Sequence, residues 1–169
     1  MGTRLLSEYL IKKHHPQLRY VRVHTSGKNQ ATLYAWNDDL QLPERDVDTL
    51  KRFVSGYLPP HVCFQIKAYS MVQMDGVPRE YDLPESIVRT AMKRELDQYG
   101  IVASINTMLD SGGMAFSRYD FNSGTLYFNI HMTTVLMDIE KELIRMYLSE
   151  IIPLGSKCNV QFEYSLAAR

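Results

Sequence analysis

Apolar and polar positions change period several times along the chain, and each change marks an element. Leu6, Tyr9 and Leu10 recur at helical spacing from Thr3 to Lys13; Lys12, Lys13, His14 and His15 gather at the end where cations suit the helix dipole, and Pro16 stops the run. Leu18 to His24 is rich in strand formers, Thr25-Ser26-Gly27-Lys28-Asn29 reads as a turn, and Ala31 to Trp36 completes a hairpin. Leu42-Pro43-Glu44 opens a helix with Val47, Leu50, Val54, Tyr57 and Leu58 on one face, which Pro59-Pro60 ends. Val62, Phe64, Ile66 and Ala68 then alternate, predicting a strand over 62–70 that runs on towards Met74.

Asp75-Gly76-Val77-Pro78 and Arg79-Glu80 break both periods, so 71–83 reads as a linker. A second Leu-Pro-Glu, Leu83 to Glu85, opens a helix carrying Val88, Ala91, Met92, Leu96 and Tyr99 on one face, with Gly100 as its C-terminal cap. Alternation of Ile101, Ala103 and Ile105 predicts a strand. Ser111-Gly112-Gly113 turns the chain, 114–121 is extended, and Asn122-Ser123-Gly124 turns it again. Leu126, Phe128, Ile130 and Met132 share one face of the next strand; Leu136, Ile139, Leu143, Met146 and Ile151 define the last helix; Cys158 to Ser165 is the last strand.

The two runs resemble each other. Thr32-Leu33-Tyr34 and Thr125-Leu126-Tyr127 stand 93 residues apart, as do Leu50/Leu143 and Arg52/Arg145, whereas Cys63/Cys158, Tyr69/Tyr164 and Ser70/Ser165 stand 95 apart. This reads as an internal duplication with two residues inserted near 153–157. Matching the apolar faces of the last strands needs an offset of 96, because a slip of one residue exchanges faces. Either the Cys and Tyr identities are partly accidental or one strand carries a bulge. The expected architecture is α+β: duplicated αββαβ units, helices packed on small mixed or antiparallel sheets, and pseudo-twofold symmetry. Residues 1–70 form the first repeat, 71–83 the linker and 84–169 the second. Units of this size have marginal cores alone, so mutual packing is expected.

Composition narrows the function mainly by exclusion. Nineteen basic and nineteen acidic residues give zero net charge, which argues against a nucleic-acid or anionic-membrane partner. No apolar run approaches the about 18 residues of a membrane span, and the N-terminal stretch lacks a signal-peptide pattern, so synthesis in the cytoplasm is expected. Two cysteines are too few for a disulfide scaffold or zinc site and read as buried thiols rather than a bond between the repeats.

Candidate chemistry is sparse. His14-His15 diverge by about 100° on a helix and read as a solvated helix end rather than a metal pair. Ser26-Gly27-Lys28 lacks the upstream glycine of a phosphate loop, and Asn29 stands where Ser or Thr is needed. Ser111-Gly112-Gly113 reads as a hairpin rather than an anion nest. Asp38, Asp39, Glu44 and Asp46 read as capping. His61 and His131 lie in or beside strands; His131 with Asp138 is the enzyme alternative, whose mark would be a deep pocket holding both. No catalytic site, cofactor or metal is expected.

Eleven tyrosines and nine methionines suit protein interfaces. Tyr57, Tyr99 and Met92 are expected in the core. Tyr119, Tyr127, Tyr147 and Tyr164 cannot all point inward, and these are the candidate interface residues. The repeat is similar in outline to paired RNA-binding KH modules, but their G-x-x-G loop is absent. The segments LKRFVSGYLPPHVCFQIKAY and LIRMYLSEIIPLGSKCNVQFEY, each an amphipathic helix ending in proline and feeding an apolar strand, resemble segments of bacteriophage tail and baseplate proteins. The element order also resembles the ring-building modules of secretion-system basal bodies, which are commonly membrane-tethered; no anchor is read here. Both resemblances imply an assembly part rather than an enzyme. The partners would be other protein subunits or further copies of the chain, and the destination a virion in the first case.

Overall fold

The structure, a computed structural model, describes residues 2–165. It contains two three-stranded sheets, the first carried by an αββαβ unit and the second by the same order with one helix added at its start, so the fold is α+β with mixed sheets. In the first unit, α1 (Arg4–His14) leads into β1 (Leu18–Gly27) and β2 (Gln30–Asn37), then α2 (Glu44–Tyr57) and β3 (Cys63–Ala68). β2 lies in the centre, antiparallel to β1 and parallel to β3. After a short helix α3 (Met71–Met74), the second unit opens with α4 (Glu85–Ala91) and α5 (Gln98–Asn106), followed by β4 (Gly113–Asp120), β5 (Thr125–Met132), α6 (Asp138–Ile151) and β6 (Lys157–Tyr164). Here β5 is central, antiparallel to β4 and parallel to β6. Strand order and ladder polarity are the same in both units. A helix must intervene before a parallel partner can be reached, and α2 and α6 fill that role.

The duplication is real in topology but its register differs from the sequence identities. Leu33 and Leu126 are both buried on the helix-covered faces of the central strands, as their spacing of 93 requires. The crossover helices match at 94 instead: Leu50 corresponds to Ile144, Val54 to Leu148, and the buried C-caps are Leu58 and Ile152. Leu143 is therefore 37% exposed where Leu50 is fully buried, since one residue is a turn of about 100° around a helix. In the parallel ladders Leu33 pairs with Ile66 and Leu126 with Cys158, a spacing of 92. The second unit thus gains one residue before its helix and loses two after it, rather than gaining two near 153–157. No bulge interrupts either parallel ladder, so the Cys63/Cys158 and Tyr69/Tyr164 identities are accidental. Cys63 points outward and is exposed, correcting its reading as a buried thiol; Cys158 points inward, and both are free.

Four further expectations change. Ile101 and Ile105 lie on a helix, α5, not a strand, and both are buried there. Gly100 does not cap a helix; it sits in the first turn of α5 and donates its N–H to Oδ1 of the N-cap Asp97 at 2.9 Å. β3 ends at Ala68 and gives way to α3 instead of running to Met74. Tyr57 and Tyr99 are 69% and 75% exposed rather than core residues.

Two apolar clusters form the core. The first contains Ile11, Val23, Leu33, Leu50, Phe53 and Val54; the second contains Ile87, Ile101, Ile105, Phe128, Ile130, Leu148 and Ile151. They are stitched together by residues that cross over. Leu154, from the α6–β6 loop, is buried in the first cluster, and Leu5, from α1, packs against the second. The β1–β2 turn abuts the same loop: Asn29 N–H donates to Gly155 O at 2.9 Å, and Gly155 N–H donates to Thr25 Oγ1 at 3.0 Å. Gly155 has φ +84°, and a Cβ there would stand 3.0 Å from Asn29 Cα, so glycine is required.

Residues 71–83, the expected linker between the units, pack as a strap. They lie over the outer face of the first sheet, where Tyr34 donates its hydroxyl to Asp75 Oδ2 at 2.7 Å, Lys67 Nζ donates to the same oxygen at 2.8 Å, and Arg22 Nη2 donates to Pro78 O. Tyr34, Thr32 and Arg22 are consequently buried on that face, whereas the equivalent face of the second sheet presents Ala115, Arg118 and His131 as exposed residues.

Candidate functional site

The polar centre of the molecule is the seam between the units. Thr3 caps α1, accepting from Leu6 N–H at 3.2 Å, and its hydroxyl donates to Ala91 O at the end of α4 at 2.7 Å. That fixes Arg4 at the first turn. Its Nη1 donates to Glu8 Oε1 at 2.7 Å, one turn along α1, while Nε and Nη2 donate to Glu150 Oε2 of α6 at 2.9 and 2.7 Å. Glu8 Oε1 also accepts from Val23 N–H at 2.8 Å, so a carboxylate satisfies an amide of the outer strand β1. Glu80 of the strap stands 3.7 Å from both Arg4 Nη1 and Arg22 Nε.

Burial and charge act against each other here. Burial pushes the Glu8 carboxyl above its ordinary range and outweighs the attraction of Arg4. Burial lowers the Arg4 pKa, but Glu8 and Glu150 more than offset this and hold it above its usual value. His24 is held below the usual histidine range by burial, then by Arg22 and Arg4. Arg22 is 7% exposed, and its Nε has no hydrogen-bond acceptor.

Beside this cluster opens a cleft of about 530 Å³ between the units. β1 contributes Arg22, His24 and Gly27; the strap contributes Pro78, Arg79 and Tyr81; α6 and the loop after it contribute Met146, Glu150, Ile152 and Leu154; Lys157 and Cys158 of β6 close it. Burial pushes the Cys158 thiol up to about 11, so it is a poor nucleophile or ligand at neutral pH.

The four candidate tyrosines are not brought together. Tyr119 of β4 is 37% exposed, edge-on to Phe121 with centroids 4.9 Å apart, at the end of the sheet opposite Tyr164. Tyr164 is 39% exposed, with Lys141 Nζ 5.5 Å from its ring centroid. Tyr127 lies on the outer face under the Arg118 guanidinium, 4.0 Å from its ring centre. Tyr147 is half-buried on α6 against the second core.

His131 does not approach Asp138 in a pocket; it is 60% exposed and its Nδ1 lies 3.1 Å from Glu163 Oε2 across the ladder. Of the histidine pair, His14 is exposed at the end of α1 as expected, whereas His15 is buried rather than solvated. His15 is 4% exposed and edge-on to Phe53, and His14 packs on Phe53 and Tyr57. The acidic run before α2 does not cap it, since the N-cap is Pro43 without a side-chain bond; Asp46 is buried and accepts from Gln17 at 3.3 Å. Among the described residues there is no group of three His, Cys, Asp or Glu side chains that could hold a metal ion, and no helix is long and apolar enough to cross a membrane.

Sequence reasoning missed the Arg4–Glu8–Glu150–Glu80–Arg22 cluster altogether. Only the Arg4/Glu8 spacing of four was visible as a signal. It also missed an aromatic group on the outer face of the first sheet, Tyr20, Trp36 and Tyr69, whose ring centroids lie 5.5–6.3 Å apart. A run of exposed apolar residues precedes and opens α6, with Val135, Met137 and Ile139 at 79%, 63% and 65% exposure.

No protein-family model matches the chain, and no curated protein matches it. Among solved structures it is similar to the periplasmic domain of the T3SS inner membrane protein PrgH from S. typhimurium. Against fragment 170–392 the identity is 14%, covering 97% of this chain and 70% of that one, with a TM-score of 0.32. Against fragment 170–362 the identity is 14%, covering 97% and 76%, with a TM-score of 0.31. A further structure of the PrgH periplasmic domain gives 14% identity, 95% and 69% coverage and a TM-score of 0.29. At such scores the likeness carries no conclusion on function or partners.

Proposed function

We propose that the protein is a non-enzymatic structural component that bridges other protein subunits in an assembly. The observation that carries this reading is the surface of the second unit. Val135, Met137, Ile139 and Leu143 are exposed at the start of α6, and Tyr119 and Phe121 are exposed at the end of β4. Large apolar side chains grouped on a surface are favourable to cover and unfavourable to leave wet. β4 and β6 are the outer strands of that sheet, and outer strands invite pairing unless another chain covers them. Tyr119, Tyr127, Tyr147 and Tyr164 would then contribute to subunit contacts, with Tyr119 and Tyr164 the more accessible pair.

The helix–proline–strand segments favour a phage-tail type of particle, with synthesis in the cytoplasm and incorporation into a virion. A secretion-system ring is the other form of the same reading. Native mass spectrometry of the protein, with a pull-down from its source, tests it. The expected result is a stable complex with another protein or with further copies, burying about 1,000 Å² or more. A well-behaved monomer that retains no protein and turns over a metabolite overturns it.

A further inference from the structure

The cleft between the units gathers Arg4, Arg22, His24, Arg79 and Lys157, against Glu150 as the acid among its lining residues. These cations are not equally compensated. Arg4 is satisfied by Glu8 and Glu150. Arg22 gives one N–H to Pro78 O, but its buried Nε–H has no acceptor; Glu80 is near it without a hydrogen bond. Arg79 and Lys157 are exposed and make no ion pair among the described residues. A buried guanidinium donor left unmade is costly, and an anion would relieve it. Met146, Ile152, Pro153 and Leu154 make part of the wall apolar, which a bare phosphate or a nucleic-acid backbone would not use.

The geometry points to this cleft as the docking site for an acidic segment of a partner subunit, a carboxylate side chain flanked by apolar residues. The carboxylate is seated by Arg22, Arg79 and Lys157, and its apolar neighbours lie on the half-buried Met146 and Pro153. The inference rests on the assembly reading and names the chemistry of the partner. Burial first, and then Arg22 and Arg4, lower the proton affinity of His24 beside them.

Backbone amide shifts of the full chain, followed by NMR, test it with two end-blocked peptides, LELEL and LQLQL, and with inorganic phosphate. LELEL is expected to move the amides of Thr25–Gly27 and Ser156–Cys158 and to bind at least tenfold tighter than LQLQL. The R79E/K157E double variant alters exposed side chains only and is expected to weaken LELEL binding at least tenfold. Equal binding of the two peptides overturns the proposal, as does undiminished binding to the double variant. Phosphate producing the same shifts at no higher concentration than LELEL also overturns it, in favour of a small-anion site. A pull-down with both proteins separates the two readings. A partner retained equally by the double variant leaves the assembly reading standing and overturns the cleft. Specific LELEL binding with no partner retained by either protein removes the assembly reading, and with it a subunit as the source of the acidic segment.

Discussion

Replacing Arg4 with methionine removes the side chain that joins α1, α6 and the strap. The Glu8 and Glu150 side chains are 8% and 17% exposed, so neither is fully hydrated once the guanidinium is gone. Removing one partner of a buried ion pair costs about 3–5 kcal/mol. Glu8 has an escape, because burial already holds its carboxyl above the ordinary range and it can take up a proton. The lower end applies, about 3 kcal/mol, a large part of the about 5–15 kcal/mol that stabilises a typical domain. At about 2–4 °C per kcal/mol for this size, Tm falls by about 6–12 °C. Arg4→Met combined with Glu8→Met leaves no charge stranded at Glu8 and should recover about 2 kcal/mol; the amide of Val23, deprived of its acceptor, limits the recovery. Urea unfolding followed by far-UV circular dichroism at pH 7, with unchanged m, measures both. The folded state holds the Glu8 proton more tightly than the unfolded chain. Its contribution therefore falls as pH rises from about 4.3 through the folded pKa, and the deficit of Arg4→Met should shrink on acidification. A loss below about 1 kcal/mol for Arg4→Met, or a double variant as unstable as the sum of the single variants, refutes this account of the seam.

Three other outcomes follow from single features. Cys63 is exposed and Cys158 has its thiol raised to about 11, so at pH 8 a disulfide reagent should show one fast and one slow thiol, and Cys63→Ser should abolish the fast phase. Burial, then the bond to Asp75, pushes Tyr34 up to about 12; the folded state keeps that proton longer, so stability should fall as pH rises from about 10 to about 12. Tyr34→Phe should remove that dependence, read by unfolding midpoints across the range, at a cost near neutrality of about 1 kcal/mol. Gly155→Ala forces a Cβ against the Asn29 backbone at positive φ and should cost about 1–3 kcal/mol. Gly56→Ala, in α2 with open space around it, should instead stabilise by about 0.5–1 kcal/mol; thermal melts compare the two.

The fold was legible where periodicity and punctuation agree. The β3 and β5 alternations, the prolines around α2 and α6, and the two-unit order all follow from local rules. Ile101 and Ile105 misled because a spacing of four satisfies both strand and helix periods, and only the Asp97 cap separates them. Leu143 misled because an identity weighs the same whether or not it lies one step around a helix from the buried position. The seam was not legible. Arg4 and Glu8 lie far from Glu80 and Glu150 in the chain, and all four look like ordinary surface charges; only the packing of α1 against α6 joins Arg4, Glu8 and Glu150 into one largely buried group. The packing of the strap was not legible for the same reason, since turn-forming residues say nothing of the Tyr34 and Lys67 side chains waiting beneath Asp75.

The place where the chain's first described residue is anchored sets how the molecule would carry tension. Gly2 O accepts from Leu154 N–H at 2.8 Å, three residues before β6 begins, and Ser165 follows the far end of that strand. A pull applied at these two points is directed along β6, which is held to β5 by a parallel ladder from Lys157 to Tyr164. Ladder bonds run across the strand direction, so the load shears them all at once rather than peeling them one by one. Such a strand resists extension until the whole ladder slips, and the second unit would yield abruptly, at a force set by β6 and not by the helices around it.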